Sequence, residues 1–329
     1  MAATRPPRVA SQAWMNIFCL LTAVLAAQEP TIRTTVPLVV APTTVTGVAG
    51  KHIHGLTATD FLLFDNGKQR EIQADVSYLP ISLVIAIQTS GVSGPALAKI
   101  RKIGSMVGPL LVGDSGDAAI LTYGDEVRLL RDFTSDETKL SAAMIRLRPR
   151  GTNGVAIDAV AEGVRMLERK EDGRRRVMLL IGESRDRSSK AKVEEVSSRA
   201  QLANVTIYTL SYSAMLTSLT ERAPTPSTAS SANVDILGMI REPARLAKQN
   251  IAELFPKLTG GLTLSFVKGS GLETAVEKIG EEIHNQYLLT FTPDRDTERT
   301  FHQIVVRVKN FPNAAVRSRP GYWTPSSEP

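Results

Sequence analysis

A loop of hydroxyl groups and glycines follows the apolar run Leu83–Ile87 in the stretch LVIAIQTSGVSG. Gln88 stands at the mouth of this loop, and Ser90 follows two residues later. Binding residues commonly lie on loops that a rigid strand holds in place. This loop has no charged side chain, so it offers a ligand only amide, hydroxyl and backbone groups. The stretch indicates either a binding site or a binding loop that has lost its charge.

A second polar loop, GESRD, follows the predicted strand RRRVMLLI and contains Ser184 as a candidate nucleophile. A nucleophile elbow places glycines on both sides of the serine because its turn is tight and strained. Gly182 meets this requirement, but Asp186 occupies the second glycine position. A hydrolase triad also uses a histidine. The four histidines lie outside the loops of the central sheet, and they are His52, His54, His284 and His302. The residues therefore argue against a serine hydrolase, and we expect no enzymatic activity.

The sequence contains only incomplete patterns for a histidine metal site, a phosphate-binding loop and a nucleic-acid surface. His52 and His54 alternate as on one strand face, but two histidines without cysteine or nearby carboxylates make a weak metal site, and a solvated turn is the simpler interpretation. The stretch GVSGPA lacks the third glycine and the lysine of a phosphate-binding loop. The net charge of +6 is mild, and the basic clusters at 146–150 and 174–176 contain no aromatic residues for base stacking. We therefore expect no nucleotide or nucleic-acid binding.

Residues 1–27 have the features of a secretory signal peptide. Two arginines precede a short apolar run that ends in small residues, so we expect cleavage near Ala26 or Ala27. The apolar run is shorter than the roughly 20 residues that span a bilayer, so no stable membrane span is expected after cleavage. Cys19, the only cysteine, lies inside this segment. Export without cysteines indicates a secreted or periplasmic bacterial protein.

Two patterns alternate along the rest of this 329-residue chain, whose 43% hydrophobic content is ample for a core. Residues 31–80 are rich in β-branched residues and contain the hairpin signal DNG, and residues 287–323 are again typical of strands. In residues 81–286, apolar runs alternate with amphipathic stretches, which predicts an α/β domain with a parallel sheet covered on both faces. Residues 211–235 are expected to form a flexible loop. We expect the two ends to pair into a small β-sandwich flanking the α/β domain.

The pattern places individual elements within the α/β domain. The predicted strands are Leu83–Ile87, Ala118–Thr122, Val177–Ile181, Val205–Leu210 and Leu262–Val267. The predicted helices are Ala96–Leu111, Ser135–Leu147, Val155–Arg169, Lys190–Ala203, Pro243–Leu258 and Leu272–Gln286.

Several motifs in fixed order resemble secreted bacterial proteins of the von Willebrand factor type A (VWA) related class. GKHIHGLTATDFLLFDNGKQREI is similar to the leader of that class. GDSGDAAILTYGDEVRLLRDFTSD is similar to its second and third strands, and QYLLTFTPD and VRSRPGYW to its closing strands. The resemblance covers nearly all of the chain after the signal peptide. It implies a doubly wound, mostly parallel Rossmann-like sheet with a ligand site at the carboxyl ends of the strands.

In VWA domains this site is a metal-ion-dependent adhesion site. The resemblance implies an Asp-x-Ser-x-Ser pattern in the first loop, a threonine from a second loop and an aspartate from a third. Such oxygen ligands suit Mg²⁺, which keeps some water ligands and leaves one position for a carboxylate of a partner protein.

Matching this pattern to the chain shows a degenerate site. Gln88 stands at the aspartate position of the first loop, Ser90 matches the first serine, and Val92 replaces the second. Glu183 stands at the aspartate position of the third loop. In the second loop two alignments remain open. One places Thr152 at the threonine position, and the other, anchored on Asp158, places Gly154 there.

The resemblance implies a protein-binding module for adhesion or assembly, with an unidentified protein partner. Only one acidic ligand remains, and charge governs affinity for hard cations. We therefore expect no cofactor, and a residual Mg²⁺ site would use Ser90, Thr152 and Glu183. The alternative function is a structural subunit of an envelope complex.

Overall fold

The computed structural model describes residues 38–324, except for 77–78, 91–92, 172, 213–242, 267–268 and 295–299. The expected signal peptide, Val92 and all but the first two residues of the expected flexible loop lie outside the described residues. None of the helices in the described part combines the length and apolar character that crossing a bilayer requires.

Fourteen strands and six α-helices make up this part of the chain. The strands are β1 Val39–Thr46, β2 Phe61–Asp65, β3 Lys68–Arg70, β4 Gln73–Val76, β5 Ile81–Gln88, β6 Asp117–Tyr123, β7 Val127–Thr134, β8 Arg175–Gly182, β9 Thr206–Ser211, β10 Thr263–Ser265, β11 Tyr287–Phe291, β12 Phe301–Val308, β13 Ala315–Ser318 and β14 Gly321–Trp323. The helices are α1 Gly94–Ile100, α2 Glu137–Ile145, α3 Ala156–Glu168, α4 Val193–Leu202, α5 Pro243–Thr259 with a kink at Asn250, and α6 Gly269–Asn285.

The central sheet has six strands in the order β10-β9-β8-β5-β6-β7. All neighbouring pairs are parallel except β6 and β7, which are antiparallel. Only residues 124–126 connect β6 to β7, too short a link for the crossover that parallel strands need. The order runs outward from β5 in both directions, as in doubly wound folds. The expected fold class is therefore confirmed, with an antiparallel strand at one edge.

Alternate residues of β5 face opposite sides of the sheet and build two cores. Leu83, Ile85 and Ile87 pack with α1, α2 and α6, whereas Val84 and Ala86 pack with α3, α4 and α5. All eight residues of β5 are buried. An uninterrupted apolar run is what a strand covered on both faces requires.

The segment after α1 departs from the continuous helix expected over 96–111. The α-helix ends at Ile100, a 3₁₀ turn covers Arg101–Ser105, and a π turn covers Gly108–Val112. Pro109 has no backbone N–H to continue the α pattern. The Gly113 N–H instead donates to the Gly108 carbonyl at 2.9 Å, five residues back.

The strands on either side of the α/β unit form two four-stranded sheets, ordered β13-β1-β11-β4 and β14-β12-β2-β3. Pairs such as β1–β11 and β2–β12 join N-terminal to C-terminal strands. The hairpin predicted from DNG is confirmed, with positive φ at Asn66 and Gly67 between β2 and β3. Asp65 is buried at the end of β2, where it accepts hydrogen bonds from Arg70, His302 and Tyr322.

Two arginines of the C-terminal segment join these sheets to the α/β unit. Arg317 donates to Gly260 O at 2.9 Å and pairs with Glu282 of α6. Arg319 is buried, and it donates to Gln201 O at the end of α4 at 3.2 Å. Burial lowers the pKa of Arg319 to about 10. Part of the VRSRPGYW motif therefore connects the small sheets to the α/β unit.

Candidate functional site

The candidate site lies where β5 and β8 end side by side. β5 pairs with β6 on one side and β8 on the other, so the winding of the sheet reverses here. Strand connections diverge at such a point and leave a crevice outside the carboxyl ends, where doubly wound sheets bind their ligands. Gln88 is the last residue of β5, and Glu183 directly follows β8. The fold therefore brings together the first and third loops that the sequence singled out.

The Gln88 side chain closes the centre of this crevice. It is only 2% exposed. Its Oε1 accepts the backbone N–H of Glu183 at 2.7 Å, and its Nε2 donates to Ser90 Oγ at 2.7 Å. The Glu183 N–H can only donate, so it fixes which end of the amide is the oxygen. The carboxamide thus bridges the two loops, and its oxygen is already occupied.

Glu183 has a cationic neighbour within the chain. Its Oε2 lies 3.5 Å from Gln88 Nε2 and 3.5 Å from Arg187 Nη2. The glutamate side chain is 11% exposed and the Arg187 side chain 48%. The remaining carboxylate of the site is therefore balanced by an amide N–H and a half-exposed guanidinium.

Tyr123 lies beneath the amide at the end of β6. Its hydroxyl donates to Ile181 O at 3.3 Å and is buried against Gly182, where any Cβ would collide with it. Burial raises the pKa of Tyr123 well above its usual value of 10, and the nearby carboxylates add to the shift. The floor of the site thus stays an uncharged hydrogen-bond donor.

The first loop turns on its own hydroxyl groups. Ser93 donates both its backbone N–H, at 2.8 Å, and its side-chain hydroxyl to the Ser90 carbonyl. Both serines are fully buried. Helix α1 begins directly afterwards, with Pro95 in its first turn. Ser93 therefore closes the turn, and its hydroxyl does not replace the ligand missing at Val92.

Thr152 and Gly154 of the second loop lie in different surroundings. Thr152 does not join Gln88, Ser90 and Glu183, because its hydroxyl donates to Asp125 Oδ1 at 3.1 Å on the exposed turn between β6 and β7. Backbone N–H groups of Asn153 and Thr152 bond the same carboxylate and lower the pKa of Asp125. Of the two residues that the sequence left open, Thr152 contacts Asp125 on this turn, and Gly154 lies beside Gln88.

Gly154 and Gln88 are complementary in volume. A Cβ added to Gly154 would lie 2.9 Å from Gln88 Nε2. That distance is too short for a relaxed contact, so the long amide fills the space that a side chain at position 154 would need. The long side chain of Gln88 therefore fits only because position 154 in the second loop is a glycine.

Two aspartates that the sequence did not identify hold the third loop against α3. Asp186 accepts the Ile157 N–H at 3.1 Å and the Ser189 hydroxyl at 2.6 Å. Asp158, in the first turn of α3, accepts the backbone N–H of Ala191 at 2.7 Å. Each carboxylate satisfies donors at a helix start or in a loop far away in sequence. Local capping patterns cannot reveal such bonds.

The residues at the site do not fit a Mg²⁺ ion. The Gln88 amide presents an N–H towards Ser90 and Glu183, and its oxygen is occupied. Thr152 is bonded elsewhere. Within the described ranges, no group of three acidic, histidine or cysteine side chains is arranged to hold a metal. A hard cation needs several free oxygens, and this arrangement supplies mainly donors.

The geometry around Ser184 does not form a hydrolase triad in the described residues. The Ser184 carbonyl accepts the Ile251 N–H at 2.8 Å, and Asp186 is engaged with α3. His284 contacts Leu110 O at 3.1 Å, away from this edge. His302 lies on β12 of one small sheet, with Nδ1 2.7 Å from Asp65 of the neighbouring β2.

The sequence matches no protein-family model and no curated protein. Among solved structures, a conserved hypothetical protein BatB from Bacteroides thetaiotaomicron is similar at 17% identity with a TM-score of 0.43, covering 62% of this chain and 97% of that one. Proximal thread matrix protein 1 from the mussel byssus, with a zinc-occupied MIDAS motif, is similar at 12% identity and 0.45, covering 68% and 50%. The SpRpn10 VWA domain is similar at 12% identity and 0.39, covering 60% and 95%.

These similarities support no inference about a ligand or partner of this chain. The order of the central strands and the site at their carboxyl ends stand on the structure itself. The chain has the doubly wound fold that its VWA resemblance implied, with an amide closing the centre of the site.

Proposed function

We propose that this chain is an exported protein-binding module whose carboxyl-edge loops contact a partner without a bridging metal ion. We define these loops as the described residues among 89–93, 124–126, 148–155 and 183–192. The observation that carries the proposal is the closed amide bridge from Gln88 to Ser90 and the Glu183 N–H. It leaves the loops rigidly connected and offers a ligand no oxygen-rich cavity.

Rigid loops on a doubly wound sheet suit recognition. Hydrogen bonds link them one to the next: Val155 N–H donates to Gly124 O at 3.1 Å, and Arg187 N–H donates to Gly154 O at 3.1 Å. A surface ordered before binding loses little conformational entropy on association, which favours affinity. Binding is favoured over catalysis because the described edge lacks a nucleophile with a positioned base. The export part of the proposal rests on the N-terminal sequence pattern alone.

Capture of a partner from an extract of the source cells tests this function. The chain would be immobilised in three forms: unchanged, with Ser188→Trp, and with Glu171→Trp. Ser188 is exposed in a carboxyl-edge loop, whereas Glu171 is exposed near the opposite end of the sheet after α3. The large indole obstructs contact at either place without requiring a buried rearrangement.

We expect one protein to be retained equally by the unchanged chain and the Glu171→Trp variant, with or without EDTA, and to be lost from the Ser188→Trp variant. Release by EDTA would contradict metal independence. Equal retention by all three forms would place the contact elsewhere, and failure to retain any protein would contradict a binding function.

A further inference from the structure

The acidic groups of the carboxyl-edge loops are already engaged within the chain. Asp125 accepts backbone N–H groups of the second loop at 2.9 and 3.1 Å. Asp158 and Asp186 accept N–H groups at the junction of α3 and the third loop. Glu183 has Arg187 as its partner, and Glu126 pairs with Arg128. These carboxylates keep their negative charge, but their oxygens already accept hydrogen bonds or ion pairs within the chain.

Three basic groups in the same loops have no such partner. Arg150, Arg185 and Lys190 are exposed, and within the described part of the chain their side chains form no ion pair or hydrogen bond. Arg148 donates only to the backbone carbonyls of Ile145 and Leu147, which leaves its charge uncompensated. The carboxyl-edge loops hold six basic and four acidic residues, so their formal net charge is +2.

The second and third loops, which carry Arg150 and Arg185, are bonded to each other, and the second loop is also bonded to the first. The Arg150 N–H bonds the Thr89 carbonyl directly after β5. Two residues beyond Arg185, the Arg187 N–H bonds Gly154 O in the second loop. Arg150 and Arg185 are thus carried by adjacent rigid backbone segments at one edge of the sheet.

We infer that the carboxyl-edge loops bind an acidic segment of a partner protein, with Arg150 and Arg185 donating to its carboxylates. This rests on the proposed function and names the chemistry of the partner. Guanidinium groups bind carboxylates through two parallel N–H bonds, which gives both energy and orientation.

The composition of the carboxyl-edge loops favours an acidic polypeptide over two other anionic ligands, nucleic acid and a lipid surface. Their described residues expose no aromatic ring on which nucleic-acid bases would stack. They also contain none of the exposed large apolar side chains of the described chain, which a lipid surface would bury. An acidic polypeptide needs neither feature.

The test uses a fluorescein-labelled peptide of alternating aspartate and glycine, and an otherwise identical peptide with asparagine. Fluorescence anisotropy would compare the unchanged chain with an Arg150→Gln/Arg185→Gln variant. The matched control is Arg169→Gln/Lys278→Gln, which removes the same charge from exposed sites on α6 and just after α3. A single-stranded DNA oligonucleotide and phosphatidylglycerol vesicles serve as competing ligands.

We expect saturable binding of the aspartate peptide only, weakened about tenfold or more by the edge variant and less than about twofold by the control. No binding by the unchanged chain, or an equal loss in both variants, would overturn the inference. Tighter binding of DNA or vesicles with the same arginine dependence would overturn it in favour of that ligand. The Ser188→Trp capture changes no charge, so its result stands independently.

Discussion

Replacing the buried amide with a carboxylate of the same shape gives the sharpest test of the site. Gln88→Glu keeps the side-chain length, so packing against Gly154 is unchanged. The new oxygen takes the place of Nε2, which lies 3.5 Å from Glu183 Oε2. The substitution therefore converts an attractive N–H···O contact into two neighbouring negative charges.

The expected cost follows from that distance and from burial. Gln88 is 2% exposed and the Glu183 side chain 11%, so water screens the pair poorly. Two unit charges about 4 Å apart repel by about 4 kcal/mol at an effective dielectric constant of 20. Arg187, half exposed at 3.5 Å, offsets at most about 1 kcal/mol. We therefore expect the variant to lose about 3 kcal/mol of unfolding free energy at pH 8.

The loss depends on pH with a definite sign. A penalty of about 3 kcal/mol raises the pKa of the introduced carboxyl group by about two units above its unfolded value of about 4.3. Below pH of about 4 the group is protonated in both states, and the penalty disappears. As pH rises, the unfolded state releases its proton first, so stability relative to the unchanged chain falls and then levels off above pH of about 6.5.

Chemical denaturation followed by circular dichroism at pH 4.5 and pH 8 measures this difference. Gln303→Glu, at an exposed position of β12, is the matched control and should show little change. Mg²⁺ should recover part of the loss at pH 8 in the Gln88→Glu variant only, since two carboxylates and Ser90 then offer oxygens to a cation. A variant as stable as the unchanged chain at both pH values would refute the description of Gln88 and Glu183 as a buried contact.

Three other substitutions test the packing around the site and the sandwich. Gly154→Ala should destabilise by about 1–3 kcal/mol, because its Cβ would crowd Gln88 Nε2, and combining it with Gln88→Ser should cost less than the sum. Asp65→Asn should cost about 3–5 kcal/mol by denaturant titration, since it breaks a buried ionic network. Asp186→Ala should cost about 1–2 kcal/mol and speed amide hydrogen exchange at Ile157, whose N–H it caps.

Controls of the same chemical type make these outcomes specific. Gly94→Ala adds a methyl group with nothing within 4 Å, so it should cost far less than the change at Gly154. Asp114 is exposed, and its replacement by asparagine or alanine should be nearly neutral. If the Gly154→Ala variant lost no more unfolding free energy than Gly94→Ala, the complementarity in volume between Gly154 and Gln88 would be contradicted. Unchanged exchange at Ile157 would show that Asp186 does not hold α3.

Local pattern was enough for most of the architecture. Strands were recognisable because the run Leu83–Ile87 of β5 is covered on both faces and therefore apolar, and the DNG turn needs the positive φ that Asn66 and Gly67 adopt. Helix interiors showed their apolar periodicity, although their ends shifted by a few residues. The long helix expected after β5 is instead an α-helix, a 3₁₀ turn and a π turn, and Pro109, which has no backbone N–H, lies in the π turn.

The partners of individual side chains were decided by the tertiary structure. Sequence placed Gln88 and Glu183 at one edge, but only the fold shows that the amide bonds Ser90 and the Glu183 N–H. Sequence left Thr152 and Gly154 as alternatives, and only the fold shows that Thr152 bonds Asp125 while Gly154 lies against Gln88.

The physical reason is the range of the interactions. Periodicity and turn chemistry are local, so a sequence displays them directly. Hydrogen bonds between loops far apart in sequence, and the exchange of volume between Gln88 and Gly154, depend on how the strands align. The sequence alone therefore predicted a doubly wound fold whose adhesion-site pattern is altered. The tertiary structure decided that the Gln88 amide closes this site and that Arg150 and Arg185 are exposed in the loops around it.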